Sequence, residues 1–158
     1  MKNILLSIAL FVLGGSYEYS ILNKQLIIME KEFVTYGQAI VLKELGFDEP
    51  CFGYYNTTRS KQNELLFPQY AGELENWNKM THLCSAPLKQ QVFSWFRYNN
   101  YRFTIYWDLD SNKYMFDIFG NIEPKYSRYK FLFESNYKYD TYEEAESACI
   151  YKLIELAI

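Results

Sequence analysis

The chain has 158 residues, 49% of them hydrophobic and 22% charged, which suits a packed core in one ordinary domain and excludes a disordered polar segment. A net charge of −3 argues against generic nucleic-acid binding, which needs a basic face. Three cysteines (Cys51, Cys84, Cys149), no CxxC pair and a single histidine, His82, are too few for a disulfide framework or a closed zinc site.

The N-terminus admits two readings. Lys2 followed by the apolar run Ile4 to Leu13 and by Gly14-Gly15-Ser16 has the form of a secretion signal, too short to span a bilayer. Ile21 to Ile28, in contrast, can be written entirely with A/T-rich codons, as an untranslated leader read in frame would be. Met29-Glu30-Lys31-Glu32 then resembles a fresh start. Residues 1–28 are expected to be a signal-like leader or a mis-assigned start that packs on nothing, and 29–158 a single compact α+β domain. Sparse free thiols suit a reducing cytosol and favour Met29, hence a cytoplasmic protein. A genuine leader would make it secreted or periplasmic.

The first helix is expected over Thr35 to Leu45. Thr35-x-x-Gln38 is a capping box, Val34 and Ala39 form the matching staple, and Gly46 supplies a left-handed stop that lets Phe47 fold back on Leu42. Residues 51–84 carry no clear periodicity; Cys51 to Tyr55 reads as a short strand or packed loop, and Trp77 as an anchor of undetermined place. A second helix is expected from Ser85, as cap, with Pro87 in the first turn and Leu88, Val92, Trp95 and Phe96 on one face, ending at Asn99-Asn100. The period then changes to two. Phe103, Ile105 and Trp107 face a core from one strand, Tyr114, Phe116 and Ile118 from the next, and Asp108 to Asn112 makes the hairpin turn. Gly120 to Lys125 is expected as a connection, and Tyr129 to Tyr139 as a third strand or bent pair. A last helix runs from the capping box Thr141-x-x-Glu144 to about Ala157, with Tyr142, Ala145, Cys149, Leu153 and Leu156 buried and Glu143, Glu144 and Glu146 on a solvated face. The expected architecture is therefore a short capped helix and an irregular segment packed on an α-β-β-β-α unit with a small antiparallel sheet.

Three blocks occur in order: Gln38 to Tyr55 (QAIVLKELGFDEPCFGYY), Ala86 to Arg97 (APLKQQVFSWFR) and Tyr139 to Glu146 (YDTYEEAE). Together they resemble a group of small uncharacterised proteins of Bacteroidetes bacteria and their phages. The resemblance spans most of residues 33–156. It implies a start close to Met29 and carries no activity, cofactor or functional residue across.

The chemistry-bearing patterns are weak. His82-x-Cys84 has no second pair to complete a metal site and no orienting third group for a nucleophile. Asp108-x-Asp110-x-Asn112 opens like a calcium loop, but Lys113 stands at the glycine position and Phe119 at the bidentate glutamate position. There is no phosphate loop, dinucleotide fingerprint or nucleophile elbow. No cofactor, metal or catalytic residue is expected. Helix, three strands, helix is also the order of a double-stranded RNA-binding domain, whose last helix begins with lysines where this chain has glutamates. The candidate nucleic-acid contacts are Lys125, Arg128, Lys130 and Lys138, interleaved with Tyr126 and Tyr129, where rings could stack on bases.

These readings point to a non-enzymatic protein-interaction module of a phage or mobile element, with an unidentified protein partner. A nucleic-acid-binding module is the alternative, and a secreted or periplasmic binding protein the third reading.

Overall fold

The computed structural model describes residues 29–58, 61, 63–68, 74–123 and 128–158; for 121–123 and 128–129 it describes the backbone alone. The expected leader, 1–28, lies outside the described residues. The chain divides into two compact units at Phe33/Val34. In the first, a helical turn at Met29–Glu30 closes with the Glu32 N–H donating to the Met29 carbonyl at 3.1 Å.

The second unit is a mixed α+β fold with, among the described residues, three α-helices and two three-stranded antiparallel sheets. Helix α1 (Tyr36–Glu44) is bounded as its sequence dictates. The Gln38 N–H donates to Thr35 Oγ1 at 3.3 Å, and the Thr35 N–H to Gln38 Oε1 at 2.9 Å, closing the capping box. At the far end Gly46 takes φ +91°, and the Phe47 N–H reaches the Leu42 carbonyl at 2.9 Å, so the chain reverses and buries Phe47.

The first sheet, ordered β2-β1-β3, is built from β1 (Gly53–Asn56), β2 (Leu65–Leu66) and β3 (Leu83–Ala86). Ser85 is thus a strand residue opposite Tyr54, not a helix cap. The second helix, α2 (Lys89–Tyr98), begins four residues later, where the Leu88 N–H donates to Gln91 Oε1 at 3.0 Å. The cap reading failed because β1 offers Ser85 a ladder partner that local sequence cannot reveal. Trp77 opens a short 3₁₀ turn, Trp77–Lys79, whose polar side chains pin it to the chain on either side. Trp77 Nε1 donates to the Cys51 carbonyl at 3.0 Å, Asn78 Nδ2 to the Phe47 carbonyl at 2.7 Å, and Asn78 Oδ1 accepts from the Ser85 N–H at 2.9 Å. These bonds satisfy backbone groups that the irregular loop would otherwise bury unpaired.

The second sheet is the expected meander, β4 (Tyr101–Asp108), β5 (Lys113–Glu123) and β6 (Arg128–Glu134), followed by α3 (Tyr142–Ala157). Asn112 takes φ +56° in the β4–β5 turn, a conformation that asparagine tolerates. Gly120 to Glu123 belongs to β5 and is not a connection; the strand outlasts its alternating apolar pattern because β6 supplies a ladder partner as far as Glu123. A bulge between Ile118 and Phe119 shifts the register of β6. It sets Leu132 against Gly120, where a Cβ would lie 2.6 Å from Leu132 Cδ1.

Helices α2 and α3 pack on one face of this second sheet. Phe93 of α2 stacks on Phe103 at 4.3 Å, Phe96 meets Tyr101 edge-on at 5.6 Å, and the Tyr101 hydroxyl donates to the Leu156 carbonyl at 3.1 Å. The core holds Leu42, Phe47, Val92, Phe96, Phe116, Ile118, Cys149 and Leu153, as expected, with Phe93, Ile150 and Ile154 in addition. Leu45, Leu88, Trp95, Phe103, Ile105 and Leu156 are half-buried. Two expected core positions are exposed: Trp107 and Tyr142. Glu146, expected in solvent, is buried. It pairs with Lys89 Nζ at 3.4 Å and accepts from Gln90 Nε2 at 2.9 Å. The helical stripe is rotated toward α2 because that pair supplies the cation a buried carboxylate needs.

Candidate interaction surface

Trp107 and Tyr142 are exposed together. Alternation along β4 puts Trp107 on the helix-facing side, but it lies at the hairpin end, four residues beyond Phe103, which meets α2. Its ring stands edge-on to Tyr114, directly opposite on β5, at 4.8 Å. Tyr114 in turn stands edge-on to Tyr142, the first residue of α3, at 5.9 Å. Trp107 is 41% and Tyr142 42% exposed, and Leu109 at the turn is 86% exposed. Three contiguous rings at the surface are a feature of binding sites, where Trp and Tyr supply large contact area with little side-chain freedom to lose.

The surroundings hold the rings in place. The Tyr114 N–H donates to the Tyr139 carbonyl at 2.9 Å and the Tyr139 N–H returns to Tyr114 at 3.0 Å, tying the segment before α3 to β5. Lys138 Nζ lies 3.6 Å from Asp108 Oδ2, and Lys113 pairs with Asp140. Asp108 also accepts from the Ser111 N–H at 3.0 Å and from its hydroxyl. The Ser111 bonds, and then Lys138, hold the Asp108 carboxyl below the usual carboxylate range. The Asp108 to Asn112 segment is therefore a pinned hairpin tip.

The catalytic patterns weighed in the sequence do not assemble. His82 is exposed, whereas Cys84 is buried in β3. Burial pushes the Cys84 thiol up to about 11 and the Cys51 thiol up to about 12, and raises that of Cys149 as well. A thiol so raised carries almost no thiolate at neutral pH. Among the described residues, no group of three or more His, Cys, Asp or Glu side chains is placed to hold a metal ion.

The six candidate nucleic-acid contacts are not brought together where the structure describes them. Lys125 and Tyr126 lie outside the described residues, and Arg128 and Tyr129 open β6, described by backbone alone. Lys130 is exposed opposite Gly120, while Lys138 is held by Asp108 beside the Tyr114–Tyr139 bridge. Gly120 lies six positions along β5 from Tyr114, roughly 20 Å at about 3.4 Å per residue. Glu143 and Glu144 are exposed at the start of α3. No helix among the described residues is long and apolar enough to cross a membrane.

The aromatic patch escaped the sequence reading because strict alternation assigns Trp107 to the core. The available signal was its position, one residue before the turn, where a strand outruns the helices that cover it. Comparison with protein-family models, with curated proteins and with solved structures finds no match for the chain.

Proposed function

We propose that the chain is a non-enzymatic protein-interaction module of a phage or mobile element, acting in the cytoplasm of its host. The observation that carries the interaction reading is the Trp107–Tyr114–Tyr142 row, in which Trp107 and Tyr142 stay exposed on either side of the half-buried Tyr114 at an ion-paired hairpin end. Buried, high-pKa thiols and an isolated exposed histidine speak against catalysis by the only nucleophile pattern in the sequence. The phage setting rests on the three-block resemblance alone.

A photo-reactive phenylalanine analogue at Tyr142, expressed in host cells, tests the proposal. Discrete protein adducts are expected from position 142 and none from Ser94, an exposed residue of α2. Trp107→Ala is expected to abolish them without unfolding the chain. No adduct at 142, or adducts indifferent to Trp107, would remove the support.

A further inference from the structure

On the face of the β4–β5–β6 sheet turned away from the helices two carboxylates stand side by side, while Arg102, opposite Phe119 on the same face, donates to the Arg97 and Tyr101 carbonyls. Along β5, Phe116 and Ile118 are buried, so Asp117 between them projects to the opposite face. Register places Glu134 of β6 directly across from it. Like charges in opposed positions on neighbouring strands repel and weaken the pairing. The four ion pairs among the described residues engage neither carboxylate. Lys113 on the same strand is paired with Asp140, and Lys138 beyond Glu134 is paired with Asp108. Asp117 Oδ1 is enclosed with no hydrogen-bond partner. Burial and the Glu134 charge push the Asp117 carboxyl up, against a smaller lowering by the Tyr106 hydroxyl.

Apolar surface frames the pair. Tyr106 and Met115, opposite one another on β4 and β5, are half-buried. On the other side Phe119 and Phe131 face each other across β5 and β6, edge-to-face at 5.4 Å, with Phe131 49% exposed.

We propose that this open sheet face docks an arginine-bearing segment of a partner protein, the guanidinium seated between Asp117 and Glu134 and against the Phe119–Phe131 rings. Opposed side chains on neighbouring antiparallel strands leave their Cβ atoms about 5 Å apart, which lets two carboxylates flank one planar fork. Guanidinium is more weakly hydrated than an ammonium and stacks on aromatic faces, so it suits a site that is half acid and half ring better than lysine does. Binding would relieve the Asp117–Glu134 repulsion. The inference rests on the reading of the chain as an interaction module, yet it uses a different face and different residues from the Trp107 patch.

The test is fluorescence anisotropy of labelled hexa-arginine with the full chain at low ionic strength, with hexa-lysine as comparison. Hexa-arginine is expected to bind several-fold more tightly than hexa-lysine. Asp117→Asn with Glu134→Gln, which keeps shape and removes charge, is expected to weaken it at least tenfold with no fall in melting temperature. Trp107→Ala is expected to leave it unchanged. No binding, equal binding of the two peptides, or binding indifferent to the double substitution would overturn the inference. So would displacement of the peptide by millimolar Mg²⁺ or Ca²⁺ through the same two carboxylates, which would make the face a cation site. Loss of host-cell adducts in Trp107→Ala together with failure of hexa-arginine to bind would leave the interaction module standing and this face without a role.

Discussion

Lys89 Nζ and Glu146 Oε2 lie 3.4 Å apart between the start of α2 and the first turns of α3, with only 11% and 8% of their side chains exposed. Gln90 adds a hydrogen bond to the other carboxylate oxygen. Removing one partner of such a pair leaves a buried charge alone, which typically costs about 3–5 kcal/mol, whereas replacing both with apolar groups is often neutral. Glu146→Ala should therefore destabilise far more than Lys89→Met combined with Glu146→Leu. Urea denaturation of the single and double variants checks the ordering; equal losses would show that packing and not charge sets the cost.

Leu153 and Trp107 are predicted to behave oppositely, although both are large apolar residues. Leu153 is fully buried, and Leu153→Ala should cost about 2–5 kcal/mol. Trp107→Ala removes one edge-on ring contact from an exposed position and should cost no more than about 1.5 kcal/mol. Thermal melts of the two variants separate a core residue from a surface one.

All three cysteines are free and buried, with burial as the main cause raising their thiols. A thiol reagent such as Ellman's at pH 8 should label none of them in the folded chain and all three after unfolding in guanidinium. Rapid labelling of Cys84 in the native state would reopen a chemical role for the segment around His82.

Asp117 gives stability a pH dependence of defined sign. Its folded-state pKa is raised, first by burial and then by Glu134, so ionising it costs the folded state more than the unfolded one. That penalty is fully present above the folded pKa and is lost below the ordinary carboxylate value. Asp117→Asn should therefore be the more stable protein at neutral pH. Its advantage should shrink as pH falls through the raised pKa. Melting curves of both proteins at several pH values check the trend; a constant gap would show that the carboxylate is not strained.

Nucleic acid is not expected to bind. Residues 86–158 carry nine Lys and Arg against ten Asp and Glu, and Lys130 and Lys138 sit at well-separated places on the sheet. Gel shifts with single- and double-stranded RNA and DNA at low salt should show no micromolar complex. A complex lost on Lys125→Glu with Lys130→Glu would favour the nucleic-acid alternative.

Local signals read well here and long-range ones did not. Thr35 with Gln38, Gly46, Thr141 with Glu144, and the Asp108–Asn112 turn each act within a few residues, so their roles are legible before any fold is known. The α-β-β-β-α order follows from changes of period. Ser85 was misread because strand pairing with a segment some thirty residues away outcompetes a good cap sequence. Glu146 was misread because its partner Lys89 is 57 positions earlier. Residues 51–84 carry no clear periodicity because side-chain bonds of Trp77 and Asn78 anchor the 3₁₀ turn there, and these leave no periodic trace. The surface patch and the Asp117–Glu134 pair were hidden for related reasons. One depends on where a sheet outruns its helices, the other on register.

The bulge opposite Phe119 bears on how the protein survives at high concentration. Strand β6 reads Arg-Tyr-Lys-Phe-Leu-Phe-Glu and lies at the rim of its sheet, a composition that invites recruitment of further chains into extended β-stacks. Its ladder to β5 is broken between Ile118 and Phe119 and again between Asn121 and Glu123. A bulged strand bends and twists more steeply than a regular one, so a newcomer would find few consecutive backbone groups in step with its own. The same irregularity that seats Leu132 over Gly120 thus makes this rim a poor template for fibril growth.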